Sequence, residues 1–190
     1  MARYFFRLQG WNINPEVPHA VYERCVIIAA PHTSNWDFFH TIATFDKLKI
    51  PIRFAAKKEL SQPILGPLME SLGAIWIDRS AKGKDQGRLS YVEQMAQLFE
   101  GREQLTLVIA AEGTRSLTTH WKTGFYHVAR MAQVPIALGY LDYENRIAGI
   151  GTTIMPTDDM EADMKKIMDF YREATPRYPE KFALDARFVS

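Results

Sequence analysis

Cysteine is nearly absent from this sequence, which contains one, Cys25, among 190 residues. A single cysteine excludes an internal disulfide framework and cannot form a zinc site by itself. Because Cys25 opens the apolar run CVIIAA, we expect a small buried side chain and not a nucleophile. The low cysteine content fits a protein of the cytoplasm.

Long apolar runs are also missing, since no stretch approaches the roughly 18 uncharged residues that a membrane-spanning helix needs. The first residues, MARYFFRL, carry too short an apolar run for a secretory signal and have no small-residue cleavage site. We therefore predict a cytoplasmic protein whose contact with lipid is peripheral, on the inner face of the membrane. The aromatic residues and arginines of segment 1–20 leave two interpretations open: the segment lies at a membrane interface, or it folds back on the core.

Neither sign of charge dominates, because the net charge is +1. This balance gives no electrostatic argument for nucleic acid as a partner. The chain also lacks a Gly-x-Ser-x-Gly elbow and a Gly-x-x-x-x-Gly-Lys-Ser/Thr loop, which counts against a serine hydrolase and a nucleotide phosphotransferase. His19, His40, His120 and His127 show no metal-ligand spacing, so neither a metal site nor a cofactor is predicted.

Apolar runs and helical spacings alternate along the chain, which is typical of an α/β fold. The predicted strands cover residues 26–30, 52–56, 74–77, 105–110, 135–141 and 146–150, and the predicted helices cover 34–48, 59–72, 85–99, 123–132 and 159–174. No repeat or low-complexity linker interrupts them, so residues 1–190 predict a single domain. We expect a largely parallel or mixed central sheet covered by helices on both faces.

The ends of the predicted elements carry two further signals. Asp158 or Asp159 is expected to cap the last helix, while the tail 176–190, with two prolines, is expected to be irregular. Polar and basic residues follow four predicted strands, in segments 31–37, 57–59, 78–80 and 112–116. Ligands of open α/β sheets bind beyond the carboxyl ends of the strands. If the strands are parallel, the four segments converge on one edge and form the site there.

His32 and Asp37 are the first candidates for chemistry. An imidazole can accept a proton at neutral pH, and a carboxylate on its far nitrogen fixes the tautomer. His32 is predicted in a loop and Asp37 on the first turn of the next helix, so the chain can bring them together. A second interpretation stays open, in which Ser34 and Asp37 form a capping box; both roles can coexist.

The segment from Glu112 to Ser116 is the second candidate. Gly113 permits close approach of a ligand to the main chain, and Arg115 can bind a phosphate with two parallel hydrogen bonds. Arg79 leaves another predicted strand and offers a second cation, with Lys57 and Lys122 as further candidates. Each arginine could instead pair with a neighbouring acid on the surface.

Four blocks in this order resemble the glycerolipid acyltransferase family, whose members include the enzymes that acylate 1-acyl-glycerol-3-phosphate. HTSNWD at 32–37 is similar to the family's His-x4-Asp motif, and GAIWIDR at 73–79 to the block whose arginine is linked to acceptor phosphate. EGTRS at 112–116 and VPI at 134–136 are similar to the third and fourth blocks.

The resemblance implies an acyltransferase in which His32 is the general base and Asp37 orients it. It also implies that Arg79, Glu112, Gly113, Thr114 and Arg115 bind the acceptor phosphate, with Ser34 as an additional candidate of the site. The expected substrates are an acyl thioester, carried by coenzyme A or acyl carrier protein, and a lysophosphatidic-acid-like acceptor. Two alternatives remain: a thioesterase that uses the same dyad on water, and a non-catalytic module that binds anionic lipid.

Overall fold

The computed structural model describes residues 6, 9–15, 18–57, 61–63, 65–77 and 90–189. Within these residues, a central sheet contains seven strands in the order β1-β7-β6-β2-β5-β3-β4. The strands are β1 Asn12–Pro15, β2 Arg24–Ala29, β3 Ile52–Lys57, β4 Ala74–Ile77, β5 Leu105–Ile109, β6 Ile136–Asp142 and β7 Ile147–Ile154.

The sheet is mixed, with parallel pairing everywhere except between β6 and β7. This confirms the predicted largely parallel or mixed sheet. Strand β1 is absent from the prediction, because its sequence NINP has no apolar alternation. It lies at the sheet edge, where a terminal proline removes no central hydrogen bond, and its pairing with β7 defines it as a strand.

Five α-helices connect or flank the strands in the described part of the chain. They are α1 Asn35–Leu48, α2 Leu65–Ser71, α3 Tyr91–Gln97, α4 Gly124–Ala132 and α5 Met160–Tyr171, with 3-10 turns at His19–Glu23 and Pro179–Lys181. Asp159 caps α5 by accepting from the Ala162 N–H at 3.0 Å, as one of the two predicted caps. Helix α3 starts later than predicted because Ser90 and Glu93 form a capping box there.

The start of one other helix differs from the prediction. Residues 61–63 are not helical, so α2 is shorter than the predicted 59–72. Residues 58–60, 64 and 78–89 lie outside the described part. The first residues of the two helices predicted at 59–72 and 85–99 are among them.

Both faces of the sheet are covered by helices, as the strand pattern predicts. Val26 and Ile28 of β2 pack in the cluster that contains α4 and α5, whereas Cys25 and Ile27 pack with Phe45 of α1. These four side chains of β2 are all buried. Burial raises the pKa of the Cys25 thiol to about 12, which matches the expectation of an inert cysteine.

The amino-terminal residues that the structure describes belong to the core. Phe6 and Trp11 are buried in a third cluster with Ala43 and Leu141. These two residues fold back on the core, whereas an interfacial role of segment 1–20 stays a prediction. Among the described helices, none has the length and apolar character required to cross a bilayer.

The tail after residue 176 has little regular structure, as predicted, but it is firmly bound. The buried carboxylate of Asp185 accepts from the Trp121 N–H at 2.9 Å and pairs with Arg187. The Ala186 N–H donates to the Thr119 carbonyl at 3.0 Å. These contacts tie the tail to the loop that leaves β5.

Gly73, directly before β4, has a backbone conformation and a close contact that a substitution can test. Its φ is +102°, and a Cβ atom there would lie 2.3 Å from the Ile52 carbonyl oxygen of β3. We expect Gly73→Ala to lower the free energy of unfolding by about 3 kcal/mol or more, measured by urea denaturation.

The matched control is Gly101→Ala, because Gly101 also has a positive φ, +65°, but no atom lies within 4 Å of the point that a Cβ would occupy. This variant keeps the conformational cost without the collision, so we expect a loss of about 1 kcal/mol. Equal losses for both variants would contradict the steric explanation.

Candidate active site

The carboxyl ends of four parallel strands meet at one edge of the sheet. Strands β2, β5, β3 and β4 are adjacent and parallel, so the segments that follow them start at this edge, as predicted. Lys57 ends β3 there, but its side chain is outside the described part, as is all of Arg79. Three described candidates are in contact at this edge: His32, Asp37 and Glu112.

His32 and Asp37 form the predicted pair. His32 Nδ1 lies 3.5 Å from Asp37 Oδ2, and the side chains are 18% and 3% exposed. The distance is long for a hydrogen bond, but such contacts commonly tighten when substrate binds. Because Asp37 faces Nδ1, Nε2 is the ring nitrogen that can exchange a proton with a substrate.

The Asp37 carboxylate is held by three other donors. Oδ2 accepts from the N–H groups of Thr33 and Ser34, both at 2.7 Å, and Oδ1 accepts from the Tyr143 hydroxyl at 2.7 Å. Ser34 Oγ in turn accepts from the Trp36 N–H at 3.0 Å, which completes a capping box for α1. The two interpretations left open for Asp37 are therefore both realised in one carboxylate.

These contacts decide the charge of the site. Burial alone would raise the pKa of Asp37, but hydrogen bonds from His32, Tyr143 and Ser34 outweigh it and hold that pKa below its ordinary value. Burial and the bond to Asp37 raise the pKa of Tyr143, so its hydroxyl remains a donor. Asp37 is thus an anion at neutral pH, as an orienting carboxylate must be.

Glu112 contacts the loop that carries His32. Its Oε1 accepts from the His32 N–H at 2.6 Å, and the residue is 1% exposed. Oε2 is buried and has no hydrogen-bond partner among the described residues. In this structure the buried carboxylate holds the backbone of His32, and the expected phosphate-binding role of Glu112 stays a prediction.

Burial raises the pKa of Glu112 from 4.5 to about 7, with the nearby Asp37 charge adding to the shift and the His32 N–H opposing it. Two carboxyl groups beside one imidazole therefore differ in charge at mildly acidic pH. Asp37 is ionised because it has several donors, whereas Glu112 has one.

The rest of the 112–116 segment faces solvent. Gly113, Thr114 and Arg115 are exposed, and Thr114 Oγ1 accepts from the Ser116 N–H at 3.1 Å. The side chain of Lys122 runs beside Gly113, where an added Cβ would lie 3.0 Å from Lys122 Cγ. A cleft shared by His32, Arg79 and Arg115 stays a prediction, since Arg79 lies outside the described residues.

Two residues at this site are missed by the sequence analysis. Tyr143 directly follows β6, which runs parallel to β2, so its place at a strand end is a usable signal. Arg177 has no such signal, because it lies in the tail that is expected to be irregular. Its guanidinium lies over the rings of Trp36, Tyr143 and Tyr178, at 5.6, 5.7 and 5.7 Å from the ring centroids.

A small cavity opens beside the dyad, between α1 and the sheet. Pro31, His32 and Asp37 line one end of it. The remaining lining is mainly apolar and includes Ile27, Phe45, Leu141 and the glycines 139 and 149. Apolar surface is therefore available next to the imidazole.

The pKa of Glu112 predicts a pH dependence of stability. Because the folded-state value is the higher one, the contribution of Glu112 to stability is complete below pH 4.5 and is lost as the pH rises through about 7. Between pH 5 and pH 8, the free energy of unfolding of the wild type should fall by about 1–3 kcal/mol more than that of Glu112→Gln.

Urea denaturation at the two pH values measures this difference. Glu103→Gln is the control, since Glu103 is exposed and its removal should keep the wild-type pH dependence. Parallel pH dependences of the wild type and Glu112→Gln would show that Glu112 does not titrate in this range.

Two relatives carry the same kind of name. They are the probable 1-acyl-sn-glycerol-3-phosphate acyltransferases of Mycoplasma genitalium and Mycoplasma pneumoniae, 29% and 30% identical to this chain over 161 and 159 residues. The matches cover 76% and 77% of this chain, but 56% and 58% of those proteins. The chain thus spans a little over half the length of these relatives.

The fold is also shared with a solved structure. The crystal structure of the 1-acyl-sn-glycerophosphate acyltransferase PlsC from Thermotoga maritima matches with a TM-score of 0.60 and 16% identity, over 89% of this chain and 73% of that one. At this identity, the likeness concerns the fold.

The family model described as Acyltransferase matches residues 12–137. This range contains β1 to β5, the start of β6, both residues of the dyad and the 112–116 segment. Because the match covers more than half of the sequence, the chain belongs to the acyltransferase family.

Proposed function

We propose that this chain transfers a fatty acyl group from an acyl thioester to a hydroxyl of a lysophosphatidic-acid-like acceptor. The observation that carries the proposal is the His32–Asp37 pair at the carboxyl edge of the sheet, in a member of the acyltransferase family. The mycoplasma relatives are named for the acylation of 1-acylglycerol 3-phosphate, which supports this acceptor class.

In the proposed reaction, His32 Nε2 takes the proton of the acceptor hydroxyl while the oxygen attacks the thioester carbonyl. The new C–O bond forms, the C–S bond breaks, and the leaving thiolate receives the proton from the imidazolium. Asp37 stabilises the imidazolium and fixes the tautomer, while Tyr143 holds Asp37. Glu112 holds the His32 backbone, so the imidazole starts from an anchored main chain.

The transfer is proposed to be direct, without an acyl-enzyme. Cys25 supports this view, because it is buried in the sheet and its thiol has a pKa of about 12. The thioester, whether carried by coenzyme A or acyl carrier protein, is a co-substrate, and the reaction requires no cofactor. The mainly apolar cavity beside His32 gives the incoming thioester an apolar surface next to the imidazole.

The acceptor phosphate is proposed to contact Arg79 and Arg115, with Gly113 and Thr114 providing close main-chain and hydroxyl contacts. Arg115 and Lys122 are exposed on the loop that follows β5, which supports their access to an anion. Binding the phosphate there would present the acceptor hydroxyl to His32 at attack distance.

A peripheral contact with the inner face of the membrane is proposed as the way in which the site meets its lipid. Its support is the exposure of two aromatic residues on the first turns of α1, Trp36 at 43% and Phe39 at 56%. Trp36 and Phe39 flank Asp37 in the helix sequence, so a bilayer that contacts them lies next to the site. Aromatic side chains of this kind favour the membrane interface.

The catalytic proposal predicts that His32→Ala lowers acceptor-dependent thiol release by about a hundred- to ten-thousand-fold, because general-base catalysis is lost. Asp37→Asn should also lower kcat strongly, since the tautomer is no longer fixed. The assay measures thiol release from acyl-CoA with and without 1-acylglycerol 3-phosphate.

His127→Ala serves as the control, because His127 is exposed on α4 and should keep the wild-type rate. Wild-type rates in His32→Ala would contradict the assignment of the base. Thiol release that is independent of acceptor would favour the thioesterase, and vesicle binding without turnover would favour the non-catalytic module.

The membrane contact predicts that Phe39→Ser weakens binding to vesicles of phosphatidylglycerol and phosphatidylcholine about fivefold or more, because an apolar side chain leaves the interface. Vesicle flotation measures the bound fraction. Met131→Ser is the matched control, since Met131 is 55% exposed on α4, across the sheet from α1. Equal losses in both variants would show that the contact is not local to α1.

A further inference from the structure

The tail places one residue beside the dyad by means of two anchors. The Tyr143 N–H donates to the Thr175 carbonyl at 2.9 Å, and the Tyr178 N–H donates to Thr33 Oγ1 at 3.3 Å. Thr33 is adjacent to His32 in the loop, and Tyr143 binds Asp37. Arg177 lies between these anchors, so the fold holds it next to the catalytic pair.

The side chain of Arg177 is held by aromatic rings. Its guanidinium lies over Trp36, Tyr143 and Tyr178, and hydrogen bonding to Tyr178 raises the pKa of Arg177. The stacked faces restrict the guanidinium plane while its N–H groups can still donate at the edge. Arg177 and Tyr178 are exposed, so the cluster opens to solvent.

Within the described part of the chain, Arg177 forms no ion pair. Tyr143 also contacts the carboxylate of Asp37. That carboxylate already accepts hydrogen bonds from three donors besides His32. A fixed cation therefore lies beside Tyr143, next to the dyad. Its hydrogen bonds to Tyr178 and Tyr143 use some of the five guanidinium N–H donors and leave others for a ligand.

The site needs a cation if its substrates are anions. Asp37 and Glu112 place two carboxyl groups next to His32, and ionised carboxylates repel a phosphate that approaches the imidazole. A guanidinium on the same side offsets this repulsion and can bind a phosphate through two parallel hydrogen bonds. Residue 177 lies outside the family match of 12–137, so this cation belongs to the tail and not to the shared blocks.

We propose that Arg177 binds a phosphate group of a substrate at the His32–Asp37 dyad. This inference rests on the proposed acyl transfer for its ligands. The shared chemistry is a phosphomonoester or diphosphate, which occurs both in the headgroup of the acceptor and in coenzyme A. The experiment separates these two sources.

The test compares Arg177→Ala and Arg177→Lys with the wild type in steady-state kinetics. The KM for 1-acylglycerol 3-phosphate is measured at saturating acyl-CoA, and the KM for acyl-CoA at saturating acceptor. We expect Arg177→Ala to raise one of the two KM values about tenfold or more, with kcat changed less than threefold, because a phosphate contact is lost in binding. Arg177→Lys should recover part of the loss, since charge remains without the planar fork.

Two variants serve as references. Arg172→Ala removes an exposed arginine that pairs with Asp169 at the end of α5, and it should leave both KM values unchanged. Tyr143→Phe removes the hydroxyl that holds Asp37, and it should lower kcat and shift the pH profile of kcat. If Arg177→Ala reproduces the Tyr143→Phe pattern, Arg177 positions the dyad through Tyr143, and the phosphate proposal is overturned.

A binding measurement separates this inference from the proposed function. Calorimetric titration of the wild type and Arg177→Ala with a short-chain 1-acylglycerol 3-phosphate, and separately with coenzyme A, does not depend on turnover. If the wild type shows no turnover but binds either ligand more tightly than Arg177→Ala does, the phosphate site is supported and the transferase proposal fails. Normal turnover with unchanged KM and Kd in Arg177→Ala, or a loss confined to vesicle binding, would overturn the proposal that Arg177 binds phosphate. The transferase proposal would be unaffected.

Discussion

Four donors converge on one carboxylate, that of Asp37, and the site depends on this convergence. The N–H groups of Thr33 and Ser34 come from the loop after β2, the hydroxyl of Tyr143 comes from the turn after β6, and the fourth donor is the imidazole of His32. The same carboxylate caps α1, so the start of that helix and the geometry of the dyad cannot vary independently. A substitution that disturbs the cap also disturbs the contact between Asp37 and His32.

The neighbouring carboxyl group shows how differently one site can treat two acids. Glu112 is as buried as Asp37, but it accepts a single described hydrogen bond, and its Oε2 is buried without a partner among the described residues. Hydrogen bonds replace the solvation that Asp37 loses on burial, whereas the single described hydrogen bond of Glu112 does not. This difference explains why their pKa values shift in opposite directions. Since both groups touch His32, the protonation of Glu112 changes the electrostatic potential at the imidazole.

The sequence predicts the elements whose signal is local. The apolar runs at 26–30 and 105–110 predict β2 and β5. Ser34 with Asp37 predicts the cap, and His32 with Asp37 predicts the pair. Strand β1 escapes prediction because its sequence has no strand pattern and pairing alone defines it. Contacts such as Tyr143 with Asp37, 106 residues apart, depend on which strands become neighbours, and a single sequence does not encode that order in any local pattern.

The attachment of the tail has a consequence for how the protein is made. Asp185 and Ala186 bond the loop that follows β5, and Tyr178 bonds the loop that carries His32. Synthesis proceeds from the amino terminus, so β1 to β7 can emerge from the ribosome while both loops still lack these partners. Residues 178, 185 and 186 therefore reach the loops after β2 and β5 only after all seven strands have been synthesised.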